Sequence, residues 1–211
     1  VTALVILAAG ATAVAVLIVP FAVLVNCMPL QRLLLSLVGT TGGNAPRFST
    51  SEALQRVGAL LRYLALRAPL PDDGFYSAVE LAHMADVQSV FQVVYVSALA
   101  SLCILALTLA LLARRHRDRT LAAVRMGSVA DLVLVAVLGT AVLTVGFDQV
   151  FVTFHELVFT NSFWLLPETS SLIRLFPESY FMSYFVIALA VSVVLAAFLT
   201  LLSSRRRQRG F

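Results

Sequence analysis

Apolar residues fill four stretches of this chain without helical or strand alternation: residues 1–26, 88–112, 128–147 and 181–203. A bilayer core is crossed by about 20 apolar residues in a helix, and each stretch reaches that length. Backbone amides in lipid must find partners within their own segment, so each is read as a transmembrane helix. Between them lie two polar-interrupted segments, 27–87 and 148–180, which are too long to be plain connectors. In the first, Ser49-Thr50-Ser51-Glu52 is a capping box. Leu54, Val57, Leu60, Leu61 and Leu64 follow at helical spacing, predicting an amphipathic helix of about 15 residues. Such a helix lies on the membrane surface or roofs the bundle, and Pro69, Pro71 and Gly74 end it. Ser77-Ala78-Val79-Glu80 is another capping box, starting a helix that runs into the second span. Pro177-Glu178 suits the start of the fourth, with proline at the first position and an acid at the positive end of the dipole. The pattern predicts an all-α integral membrane protein, residues 1–211 forming a single membrane domain of four transmembrane helices with an outward-facing, mostly helical cap.

The first stretch has two other readings, a cleaved signal peptide or a lipoprotein signal ending at Cys27. Asn26 stands where the lipoprotein signal needs a small residue, and no positive segment precedes the run, so it is taken as a span. Composition agrees with the membrane class: 60% of the residues are hydrophobic and 12% charged. A soluble domain that apolar would expose large sticky patches.

Charge adds orientation. Every basic residue is Arg, and there is no Lys. Arg114, Arg115, Arg117, Arg119 and Arg125 lie between spans two and three, and Arg205, Arg206, Arg207 and Arg209 follow span four. With Asp118 and Asp131 that side carries +7, whereas the other side carries −3. Positive charge stays inside, so both termini are expected in the cytoplasm and segments 27–87 and 148–180 outside. These Arg clusters flank spans and lack interleaved aromatics, which argues against nucleic acid as a partner and for membrane lipid. Cys27 and Cys103 show no framework spacing, so no disulfide is expected.

Two of the three histidines fall at the outer ends of spans. His83 lies between Glu80 and Asp86, each three residues away, so that on a helix a carboxylate stands above and below the ring. Such a partner orients an imidazole and raises its basicity; Glu80 is also placed to act only as a cap. His155 follows Asp148 and sits among Phe151, Phe154, Leu157 and Phe159 with Glu156 beside it. Apolar surroundings favour the neutral imidazole that a general base requires. Asn161, Trp164, Arg174 and Glu178 follow as candidate supporting groups: Trp164 as a belt residue or a wall of the site, Arg174 as a partner for a carboxylate or lipid phosphate. His116 lies in the basic inner loop as a solvated residue. There is no His-Glu-x-x-His, no Cys pair, no Gly-x-Ser-x-Gly and no phosphate-cradling glycine loop, so neither a metal nor another cofactor is expected.

The run Phe154-His155-Glu156-Leu157-Val158-Phe159, with Asn161, Trp164, Pro167, Leu172-Ile173-Arg174-Leu175-Phe176-Pro177-Glu178 and Phe181, is similar to the signature of a family of small bacterial integral membrane proteins, the lipoprotein intramolecular transacylases. Glu80-Leu81-Ala82-His83-Met84-Ala85-Asp86-Val87 resembles that family's other block. The resemblance covers nearly the whole chain. It implies an enzyme of the bacterial cell membrane acting on a diacylated lipoprotein at the outer leaflet. The sn-2 acyl chain would move from glycerol to the α-amine of the N-terminal cysteine, giving the lyso form, with His83 and His155 as the catalytic pair. Two alternatives stay open: another lipid- or lipoprotein-directed acyl transferase or hydrolase, and a non-enzymatic membrane assembly or lipid-binding protein with structural histidines.

Overall fold

A computed structural model describes residues 1–38, 48–114 and 116–208, with side chains described to Ser204. Arg47, Arg115 and Arg209, counted in the charge balance, lie outside the described residues, as do the side chains of Arg205, Arg206 and Arg207. Every described element is a helix: α1 (Thr2–Val25), α2 (Met28–Val38), α3 (Thr50–Leu66), α4 (Ala78–Ala113), α5 (Arg117–Val145), α6 (Phe147–Val158), α7 (Ser171–Leu175) and α8 (Glu178–Gln208). Four of them, α1, α4, α5 and α8, are long and apolar enough to cross a membrane. The helix that carries the expected span 128–147 begins earlier, at Arg117, and stops at Val145, because Gly146 takes φ +89, a left-handed conformation that breaks the helix before α6.

The residues group into two compact units. The first comprises 1–23, 94–140 and 187–211. Small residues let its helices approach closely, the arrangement expected where lipid gives helices no hydrophobic reason to associate. Ala8, Leu112 and Ala123 are fully buried together, with Leu4, Val5 and Leu109 against them. Gly127 of α5 lies so near α1 that a Cβ there would stand 2.3 Å from the Ala9 carbonyl oxygen. Ser192 of α8 donates to the Val16 carbonyl at 3.1 Å.

The second unit comprises 24–93 and 141–186 and holds α2, α3, α6 and α7 with the first turns of α4 and α8. The capping box at α3 forms in full: Ser49 Oγ accepts from the Glu52 amide, and the Glu52 carboxylate accepts from the Ser49 amide. Val57, Leu60 and Leu64 are buried, as their spacing predicts. The helix stops at Arg67, a left-handed cap, before the prolines. Of its last carbonyls, Tyr63 O accepts from the Arg67 amide at 3.0 Å and also from Gln88 Nε2 of α4 at 2.8 Å, and Leu64 O accepts from Gln92 Nε2 of α4 at 2.6 Å. Arg56 clamps the following loop, pairing with Asp73 at 2.6 Å and lying 4.1 Å over the Phe75 ring. Buried Tyr180 donates to Gln31, which in turn donates to the Val25 carbonyl at 2.6 Å and so ties α8 to α2.

Candidate active site

Gly146 frees the chain after α5 to begin a new amphipathic helix, and α6 turns one face inward through Phe147 and His155. His155 sits one turn beyond Phe151, and its Nδ1 lies 2.7 Å from the Phe151 carbonyl. A carbonyl only accepts, so Nδ1 carries the proton and Nε2 of the neutral ring keeps its lone pair. Four aromatic rings crowd the imidazole, with centroids at 4.2 Å (Phe151), 5.3 Å (Phe154), 5.5 Å (Phe159) and 5.2 Å (Trp164). Their desolvation holds the His155 pKa below the usual imidazole value, against the smaller opposing pull of the Phe151 carbonyl.

His83 reaches the same place from α4. The capping box Ser77–Glu80 forms, with Ser77 N donating to Glu80 Oε2 at 2.7 Å and Glu80 N to Ser77 Oγ at 3.3 Å. The resulting helix sets the His83 ring 6.1 Å from that of His155 and 5.3 Å from that of Phe159. Both histidines are buried, and among the described residues His83 Nδ1 has no hydrogen-bond partner. A buried nitrogen left unpaired is costly in a resting fold.

The expected carboxylates above and below His83 both hold other hydrogen-bond partners, although Asp86 stays near enough for its charge to reach the ring. Glu80 uses one oxygen on Ser77 and the other on the Leu172 amide at 2.8 Å, where it holds α7 against the start of α4. Unpaired helix-terminal amides compete better for a carboxylate than the imidazole does. Asp86 accepts from Asn161 Nδ2 at 2.9 Å. Asn161 also accepts from the Phe163 amide at 3.0 Å, bending the chain so that Trp164 lies against His155.

His83, His155, Asp86, Asn161 and Trp164 are thus brought together. The remaining candidates are placed differently. Glu156 points to the exposed side of α6. The Arg174 guanidinium lies 4.6 Å over the Phe48 ring. Asp148 and Glu178 meet in a hydrogen bond with each other, Asp148 two turns before His155 on α6. Phe151 and Phe159 surround the histidine pair more closely than the pattern of ionisable residues suggested. The i−4 spacing of Phe151 to His155 is the signal that reveals the carbonyl contact, once residues 147–158 are recognised as a helix separate from the span. Among the described residues no group of three or more His, Cys, Asp or Glu side chains is arranged to hold a metal ion.

A protein-family model described as lipoprotein intramolecular transacylase Lit matches residues 5–181. No curated protein sequence matches the chain. The fold is similar to a solved structure of the membrane integral lipoprotein intramolecular transacylase Lit from Bacillus cereus, with a TM-score of 0.83 at 17% identity over 99% of this chain and 98% of that one. Two further structures of the Bacillus cereus protein carry a single histidine replaced by arginine or by alanine. They match with TM-scores of 0.73 and 0.76, each at 17% identity, over 100% and 99% of this chain and 94% of theirs.

Proposed function

Because this chain belongs to the lipoprotein intramolecular transacylase family, we propose that His83 and His155 carry its acyl transfer by acid–base chemistry. The observation that bears the proposal is the pairing of the two rings at 6.1 Å, one with Nδ1 committed to a backbone carbonyl and the other with Nδ1 unpaired. The substrate is a diacylglyceryl-cysteine at the N-terminus of a lipoprotein. His155 Nε2 takes a proton from the cysteine α-amine as its nitrogen attacks the carbonyl carbon of the glycerol ester. The new N–C bond forms, the carbonyl electrons move to oxygen, and the tetrahedral intermediate collapses with loss of the glycerol alkoxide. That alkoxide gains a proton from the imidazolium, so the pair ends as it began. His83 is placed to steady the oxyanion or to hand on the proton. Two imidazolium charges this close would repel, so the pair cycles a single positive charge. Donor ester and acceptor amine belong to one molecule, so holding them in attack geometry supplies much of the rate. Asn161 and Asp86 act by fixing the chain that carries Trp164, which walls the base from water.

Mass spectrometry of lipoprotein N-termini, from cells with and without this protein, tests the reaction. Acyl groups on the cysteine amine only when it is present support the proposal; unchanged diacylglyceryl termini overturn it. The pH profile tests the base. The His155 pKa is held below the usual value near 6.5 by desolvation, so its neutral form persists as the pH falls past neutrality. Once the titration of the substrate's own α-amine, ordinarily about 8, is divided out, turnover is expected to stay level through about 6.5 and to drop only below it. A further decline centred above 7 would contradict a desolvated base.

The arginine asymmetry supports placing both termini in the cytoplasm and the histidine pair at the outer leaflet. A reporter fused at Arg119 is expected to read cytoplasmic and one at Asp72 external. A cytoplasmic signal at Asp72 would overturn both the topology and the side of the reaction.

A further inference from the structure

A groove of about 540 Å3 opens between residues 74–80 and residues 165–171. Its size suits a ligand of a few residues. Its walls continue both histidine-bearing segments: Glu80 stands one turn before His83 on α4, and Leu165 follows Trp164, whose ring covers His155. Ser77, Thr169, Ser170 and Ser171 contribute hydroxyls, while Phe75 and Leu166 contribute apolar surface. Among the described residues Glu80 is the one ionisable group in the wall, and both its oxygens are occupied by backbone amides. Arg56, over the Phe75 ring, is paired with Asp73, so it is not a free counter-charge for a phosphate-bearing lipid headgroup.

We infer that this groove holds the polypeptide immediately following the lipidated cysteine of the substrate. The inference rests on the transacylase reading. If both acyl donor and acceptor belong to the first residue, that residue lies at the histidine pair and the rest of the chain must leave it. The groove is a hydroxyl-bearing path formed by the segments that continue from His83 and from Trp164. It fits an extended segment of small residues, with the hydroxyls meeting peptide N–H and C=O groups.

Two synthetic substrates separate this from the reaction itself: a diacylglyceryl-cysteine carrying four further residues, and the diacylglyceryl-cysteine amide carrying none. With the purified full-length protein, Thr169→Trp, at an exposed loop position, is expected to raise KM for the lipopeptide about tenfold, about 1.4 kcal/mol of lost binding. The amide, which lacks the groove-bound segment, is expected to lose less than the lipopeptide. Equal losses on both substrates, or no loss on the lipopeptide, overturn the groove assignment. A lipopeptide with a photoreactive third residue gives a readout independent of turnover. Cross-links within residues 165–171 support the groove, and cross-links elsewhere overturn it. Capture at 165–171 by a wild-type protein that converts neither substrate would retain the groove and overturn the reaction.

Discussion

Replacing His155 with alanine is expected to lower conversion of a diacylated lipoprotein to its lyso form by about 10²–10⁴-fold, the usual cost of losing a general base. Three features of the site set that size. The Phe151 carbonyl leaves Nε2 as the basic nitrogen. Burial among Phe151, Phe154, Phe159 and Trp164 keeps the ring neutral at working pH. The second imidazole lies within a bridging distance. Alanine also leaves a cavity among those rings, so His155→Gln, which fills more of the space, is needed as a companion. Both variants should insert and melt close to the wild type while producing no detectable lyso product. His83→Ala should lose a similar factor if His83 shares the proton, and less if it only steadies the oxyanion. Arg174→Ala should act more mildly, since its guanidinium is held over Phe48. Full conversion by a His155 variant at matched membrane levels would remove that residue as the base.

The other large effect concerns stability. Gly127→Ala is expected to destabilise the protein by at least the 1–3 kcal/mol typical of overpacking. The added Cβ would stand 2.3 Å from the Ala9 carbonyl oxygen, 2.6 Å from Thr12 Cβ and 3.0 Å from the Ala13 amide nitrogen. Two of those are backbone atoms of α1, so relief requires the helices to separate rather than a side chain to rotate. Gly139 of the same helix gives the control, because a Cβ there meets nothing within 4 Å. Gly139→Ala should be neutral or slightly stabilising, by up to about 1 kcal/mol from helix propensity. Thermal melts of the two purified variants in one detergent read the difference. Equal melting temperatures would show that α1 and α5 do not cross so closely.

Much of the architecture follows from local sequence. Length and apolarity alone identify α1, α4, α5 and α8, because lipid allows a spanning segment few other structures. The Ser49 and Ser77 capping boxes mark the starts of α3 and α4, since a cap is a contact between residues three apart and needs no distant partner. The two histidine motifs carry the candidate chemistry, and their family signature is legible in the chain itself. What each group touches was decided by tertiary structure. Spacing placed Glu80 on the face of His83, yet the carboxylate turned to the Leu172 amide, a partner 92 residues away. Asp86 likewise met Asn161 across 75 residues. Trp164 is equally plausible as an interfacial belt residue until the Asn161 turn lays it on His155. Unpaired helix-end amides and buried side-chain amides compete for the same few carboxylates, and the winner depends on which helix ends are brought together. One-dimensional spacing reports which groups share a face, and only packing reports which of them meet.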